Sequence, residues 1–168
     1  IVAGVRAYNV RPDLFANQQR LMDYVERGGT LVVQYLTPDG RSPAVRGFAP
    51  YPLQIGGSRV TLEDAEVVIL DSRHPLLNAP NRITAEDFRG WVQERGLYFA
   101  SQWDKRYTPL FESHDPGEPP QQGITLYARR GKGAFVFTAF AMFRQLPAGV
   151  PGAFRLFANF LSAGKSTP

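Results

Sequence analysis

Apolar residues gather along this chain in short runs separated by amphipathic stretches, a pattern that predicts alternating strands and helices. "IVAGV", residues 1–5, is apolar throughout, as expected of a strand covered on both faces. In "RPDLFANQQRLMDYVERGG", residues 11–29, Leu14, Leu21, Met22 and Val25 fall on one side of a helix. Pro12 suits its first turn, Asp13 suits the positive end of its dipole, and Gly28 or Gly29 supplies a left-handed stop. "TLVVQY", residues 30–35, is a second buried strand, so the chain opens as a β-α-β unit with a right-handed crossover.

From Thr37 to Val60 the composition turns to Pro, Gly, Arg and aromatics, which predicts a long excursion or small irregular hairpin over the sheet. Within it, "GFAPYPLQIGG" is a candidate edge strand. "AEVVIL" (65–70) predicts a further strand, "DSRHPLLNAP" (71–80) a turn, and Thr84 with Asp87 a capped start to a short helix over 85–91. "LYFASQW" (97–103) is followed by "ITLYARR" (124–130) and "AFVFTAF" (134–140), which "GKG" joins as a β-hairpin. The last helix, 151–163, places Phe154, Phe157, Phe160 and Leu161 along one face.

With 168 residues the chain suits one domain that removes roughly 70% of its unfolded surface from water. That domain is assigned to 1–163 and a small polar tail to 164–168. No apolar run approaches the roughly 20 residues of a membrane span, and no secretory leader opens the sequence. Starting at Ile1 in mid-strand, it reads as a piece of a longer polypeptide. There is no cysteine, so disulfides, thiolate zinc sites and a thiol nucleophile are excluded. The net charge of +4 comes from arginines scattered singly, not from the stripe a nucleic-acid binder presents.

Candidate chemistry is sparse. At the tip of the second strand, "TPDG" (37–40) is a β-turn, since a nucleophile elbow needs Ser or Cys flanked by small residues. Ser113, His114 and Asp115 spell a hydrolase triad, but three consecutive side chains do not align as nucleophile, base and orienter. His74 and His114 are the only histidines and form no metal-binding pair. Asp104, Glu112, Asp115 and Glu118 offer carboxylates in a Pro/Gly-rich loop, and "RRGKGA" lacks the Ser or Thr of a P-loop. More suggestive are the rings of Tyr8, Tyr35, Trp91, Tyr98, Trp103, Tyr107 and Tyr127, which could stack on a sugar or peptide if several meet near the strand tips with Asn9, Gln34, Arg144 and Gln145.

Three stretches carry a resemblance: "GVRAYNVRPDL…QQRLMDYVERGGTLVVQY", "HPLLNAPNRITAEDFRGWVQERGLYFASQWD" and "GKGAFVFTAFAMFRQLPAGVPGAFRLFANFL". Together they resemble the C-terminal domain of large bacterial LmbE-like (PIG-L-type) N-acetylglucosaminyl deacetylase homologues. In "YVERGGTLVV" and "HPLL" the chain is also similar to the class I glutamine amidotransferase superfamily. The resemblance implies a flavodoxin-like three-layer α/β/α sandwich with a mostly parallel sheet, to which the hairpin is added. It implies no catalysis here: the deacetylase's Pro-His-Pro-Asp-Asp motif, the amidotransferase cysteine and its His-x-Glu pair are all missing.

The expectation is therefore a non-catalytic accessory or interaction domain of a multidomain carbohydrate-active protein. Its partners would be the zinc deacetylase domain of the same polypeptide and a saccharide held where the strands end, where open α/β sheets place ligands. Tyr8, Asn9, Tyr35, Trp103, His114 and Arg144 are the candidate ligand-binding residues. No catalytic residue, metal ligand or cofactor is assigned. Self-association into a homo-oligomer and a cytoplasmic or exported bacterial location stay open. The competing expectation is a hydrolase acting on a sugar derivative, with His114 or a loop carboxylate as general base.

Overall fold

In the computed structural model, which describes residues 1–39 and 42–165, the apolar runs at the two ends of the chain meet in one sheet. β1 (Val2–Ala3) and β2 (Thr30–Gln34) pair in parallel, and β11 (Gly133–Thr138) pairs in parallel with the other edge of β2. β10 (Thr125–Arg130) then returns antiparallel to β11 as the predicted hairpin, turning through Gly131 at φ +55°. β8 (Thr108–Pro109) closes the sheet antiparallel to β10, giving the order β1-β2-β11-β10-β8. All of β11 is buried, as its apolar run from Ala134 to Phe137 suits in a strand covered on both sides, and the hydroxyl of Thr138 at its end lies 3.3 Å from that of Thr125.

Between β1 and β2 the chain is helical in three pieces where the periodicity predicts one. α1 (Ala7–Val10) ends at Arg11, which precedes Pro12 and is held out of the helical region at φ −117°, ψ 89°. α2 (Pro12–Ala16) ends at Asn17, whose side-chain amide donates to the Asp13 carbonyl. That local bond competes with helix continuation. α3 (Gln18–Glu26) buries Met22 and Val25, packs on β2 and β11, and stops at Gly28 with φ +114°.

The expected flavodoxin-like sandwich with a mostly parallel sheet is not what forms. Among the described residues the sheet is mixed, with β1, β2 and β11 parallel and β10 and β8 antiparallel. The remaining strands leave it for separate antiparallel pairs. β3 (Leu53–Ile55) joins β7 (Ala100–Trp103), β4 (Arg59–Val60) joins β6 (Gly96–Leu97), and β5 (Val67–Ile69) joins β9 (Phe111–Ser113). The reason lies in the middle of the chain. A parallel strand needs a crossover helix to bring it back, yet between β2 and β11 the described helices are α4 (Pro43–Arg46) and 3-10 turns at Pro75–Leu77 and Ala85–Phe88. Rich in Pro and Gly, this segment pairs with itself in short two-stranded ladders between strands far apart in sequence.

After β11, α5 (Met142–Gln145) leads to α6 (Pro151–Leu161), which lies against β2 and both 3-10 turns. Its buried face is Ala153, Leu156, Asn159 and Phe160, so of the predicted stripe Phe160 is buried and Phe157 half-buried, whereas Phe154 and Leu161 are 51% and 47% exposed. The fully buried Asn159 amide accepts from Asn81 N (2.9 Å) and donates to the carbonyls of Leu76 (2.8 Å) and Asn81 (2.7 Å). Arg155 reaches the buried Asp87 carboxylate at 2.7 Å, and the same carboxylate accepts from Thr84 N at 2.8 Å, as the predicted cap requires. Of the predicted turn 37–40, Gly40 lies outside the described residues, as do 166–168 of the tail.

Candidate functional site

The three parallel strands end on the same side of the sheet, and each is followed at once by residues that turn toward one another. After β1, Arg6 sits in the left-handed region (φ 56°) and its N–H donates to the Tyr35 carbonyl just beyond β2 at 2.9 Å. The Tyr35 ring lies 5.8 Å from Tyr98 and 5.4 Å from Phe143, the latter carried by α5 after β11. Arg144 spreads over Phe143, 4.9 Å from the ring centre, and its Nε donates to Glu94 at 2.6 Å. Pairs of this geometry add about 0.5–1.5 kcal/mol each beyond simple burial.

Backbone strain concentrates here. Arg6, Gln93 and Tyr98 are the described non-glycine residues with positive φ (56°, 67° and 61°). Each such residue costs about 1–3 kcal/mol and persists only where its surroundings hold it. Gln145 is the visible support. Fully buried, it accepts from Val92 N (2.8 Å) and donates to the carbonyls of Val92 (2.9 Å) and Glu94 (3.2 Å), fixing the loop that carries Gln93 and Glu94. Burial pushes the Tyr35 hydroxyl above its ordinary pKa, the nearby Arg6 and Arg144 pull it down, and Tyr98 and Glu94 add to the rise.

Of the six candidate residues, the structure brings Tyr35 and Arg144 together, keeps Asn9 at the tip of β2 as a backbone support, and sends Tyr8, Trp103 and His114 elsewhere. Tyr8 is buried against Phe48 and donates to Gln18 at 2.7 Å. Asn9 exchanges two hydrogen bonds of 3.1 Å with the Thr37 backbone, pinning the tip of β2 from below the surface. Trp103 pairs with Leu53 between β7 and β3, half-buried beside the Asp104–Arg106 pair. His114 follows β9, its Nδ1 3.0 Å from the Asp115 carbonyl.

Ser113, His114 and Asp115 point to different partners. The buried Ser113 hydroxyl donates to the Glu66 carbonyl at 2.6 Å. The Asp115 carboxylate accepts from the Thr61 hydroxyl (2.7 Å) and from the backbone N–H groups of Thr61 and Leu62. Burial raises its pKa, but those donors outweigh it and hold the carboxylate below its usual range. His74 Nδ1 accepts from Leu76 N at 3.2 Å, and its ring meets Tyr127 edge-on. Among the described residues no group of three or more His, Asp or Glu is placed to hold a metal ion, and no helix is long and apolar enough to cross a membrane.

The strand-tip cluster also contains residues outside that set of six: Arg6, Glu94, Tyr98 and Phe143. Tyr98 was visible only as one ring among seven. Glu94 and Arg144 are 50 residues apart, and nothing local in the sequence ties them.

No family model matches the chain, and no curated protein matches it. Among solved structures the fold is similar to part of a cold-adapted β-galactosidase from Rahnella sp. R3, at 16% identity and a TM-score of 0.44. The match covers 87% of this chain and 21% of that one, so this chain spans about a fifth of that enzyme's length. A likeness at that level bears on neither activity nor ligand.

Proposed function

We propose that this chain is a non-catalytic accessory domain of a multidomain carbohydrate-active protein of the LmbE/PIG-L deacetylase type, contacting a saccharide at the carboxyl ends of β1, β2 and β11. One observation carries the reading: the half-buried rings of Tyr98 and Phe143 gather over the buried Tyr35 beside the Arg144–Glu94 pair, where the backbone of Arg6, Gln93 and Tyr98 is held at positive φ. Rings that offer an apolar face next to fixed charged donors and acceptors match a sugar, which has C–H patches on its faces and hydroxyls at its rim. Of the groups a hydrolytic reading would use, His114 lies against the Asp115 carbonyl, and the carboxylates of Asp115 and Glu112 accept from Thr61 and Gln122.

The test is a chemical-shift titration of the chain with N-acetylglucosamine. Saturable shifts at Tyr98, Phe143 and Arg144 are expected. Tyr98→Gly removes the ring without opposing the local φ of +61°. It should weaken binding about tenfold while leaving the fold intact. Shifts centred on Trp103 or His114, or none at the strand tips, would refute the assignment.

A further inference from the structure

A second feature lies beside the loop that supports the strand-tip cluster. Arg95 is 4% exposed, and among the described residues it takes part in no ion pair. Its Nε donates to the Ala65 carbonyl at 2.8 Å and its Nη1 to the Phe88 carbonyl, while Nη2, with no acceptor among the described residues, is open to solvent. The guanidinium carbon is 5.5 Å from the centre of the Trp91 ring. A buried cation without a contact ion pair is costly, and native proteins almost always pair one. Burial lowers the Arg95 pKa to about 10, with the charges of Asp64 and Glu63 opposing that drop.

Arg95 lines a cavity of about 540 Å³ whose walls include Phe88 and Trp91 and whose rim carries Glu63, Asp64 and Glu66. That volume falls within the range of small-molecule sites. The rim acids are exposed and make no contact ion pair among the described residues, whereas the neighbouring Arg89 is already matched by Glu86 at 3.1 Å. The charge pattern is therefore one cation at the base with no contact ion pair and three carboxylates at the mouth, of which Glu63 and Asp64 act on it from a distance. A dianion such as phosphate would meet repulsion on entry, and a simple cation would meet Arg95.

We propose that this cavity binds a zwitterionic α-amino acid with an apolar or aromatic side chain. Its carboxylate would sit on Arg95, its ammonium would face Glu63 and Asp64, and its side chain would lie against Phe88 and Trp91. This site shares no side chain with the saccharide face, and it stands or falls on different probes.

The experiment is calorimetric titration of the chain with three probes that share one ring: L-phenylalanine, phenylacetate and phenethylamine. Phenylalanine should bind at least about tenfold more tightly than phenylacetate, the value of one well-placed charge pair, and phenethylamine should not bind. The double variant Glu63→Gln/Asp64→Asn touches only exposed rim residues and should bring phenylalanine and phenylacetate to nearly equal affinity. Arg95→Gln should abolish both, and because it also loosens two backbone anchors, the rim variant carries the test if that protein fails to fold. Equal affinities in the unsubstituted chain, phosphate competing as well as phenylalanine, or no heat from any probe at millimolar concentration would overturn the proposal.

Discussion

Replacing Gln145 by leucine tests whether one buried amide holds the strand-tip loop in place. Leucine fills much of the same volume but removes the acceptor for Val92 N and the donors to the carbonyls of Val92 and Glu94. At about 1 kcal/mol net per hydrogen bond, the loss is about 3 kcal/mol. The Val92 N–H, left without its partner, can add its desolvation penalty and bring the total to about 5 kcal/mol. Val92 and Glu94 are half-buried, so water recovers some of this and the lower figure is the expected one. Urea unfolding reads the change directly. With a slope of about 2 kcal/mol per M, the midpoint should fall by about 1–2 M at unchanged slope.

Two further readouts separate this account from a general loss of packing. The Val92 amide should be slow to exchange with solvent in the parent chain and fast in the variant, while β11 amides keep their relative protection. Gln145→Glu retains an acceptor for Val92 N but turns a carboxylate toward two carbonyls. It should be worse than leucine at neutral pH and recover as pH falls, when the protonated acid can donate again. A stability loss under about 1 kcal/mol for Gln145→Leu, or a Val92 amide that exchanges equally fast in both proteins, would refute the reasoning.

Gly152 at the start of α6 packs directly on the Asp87 carbonyl with no room for a Cβ. Gly152→Ala should lose about 1–3 kcal/mol by thermal melting, against under about 0.5 kcal/mol for Gly57→Ala, which opens onto empty space. Tyr8 is pushed up to about 12 by burial, with its hydrogen bond to Gln18 opposing, from an ordinary 10. Its contribution to stability is whole below pH 10 and falls by up to about 1.4 kcal/mol per pH unit as pH rises toward 12; Tyr8→Phe should flatten that part of the profile. His74 is shifted the other way, its pKa lowered by burial from 6.5 with Asp71 opposing, and its Nδ1 must be unprotonated to accept from Leu76 N. Stability should hold above pH 6.5 and decline as pH drops through the depressed value, and His74→Asn should remove that acid limb.

What could be read in advance was whatever short-range pattern decides. β2, the β10–β11 hairpin and the Thr84–Asp87 cap all follow from neighbours within a few positions. The sheet's architecture does not, because parallel or antiparallel pairing of an apolar run depends on what lies between runs. "AEVVIL" has the composition of a central strand, yet β5 pairs with β9 because the Pro/Gly-rich chain between them supplies no crossover helix. α6 shows the same limit at the level of one face. Four large apolar side chains outline a plausible stripe, but Gly152 and Ala153 let the helix approach the 3-10 turn closely, and that contact rotates Phe154 and Leu161 toward solvent.

The strand-tip cluster was half legible for a related reason. Tyr35 and Arg144 each follow a recognisable strand, so their convergence is a consequence of two parallel neighbours ending together. Glu94 and Tyr98 arrive on a loop whose course is set by Gln145 and by backbone at positive φ, a conformation that non-glycine residues do not announce. The same loop buries Arg95, and a lone arginine between Glu94 and Gly96 reads from sequence as one more solvated charge. Its burial without a contact ion pair becomes visible only in three dimensions. Tertiary contacts that override the usual exposure of a charge are where sequence reasoning is expected to fail and where a binding site is worth seeking.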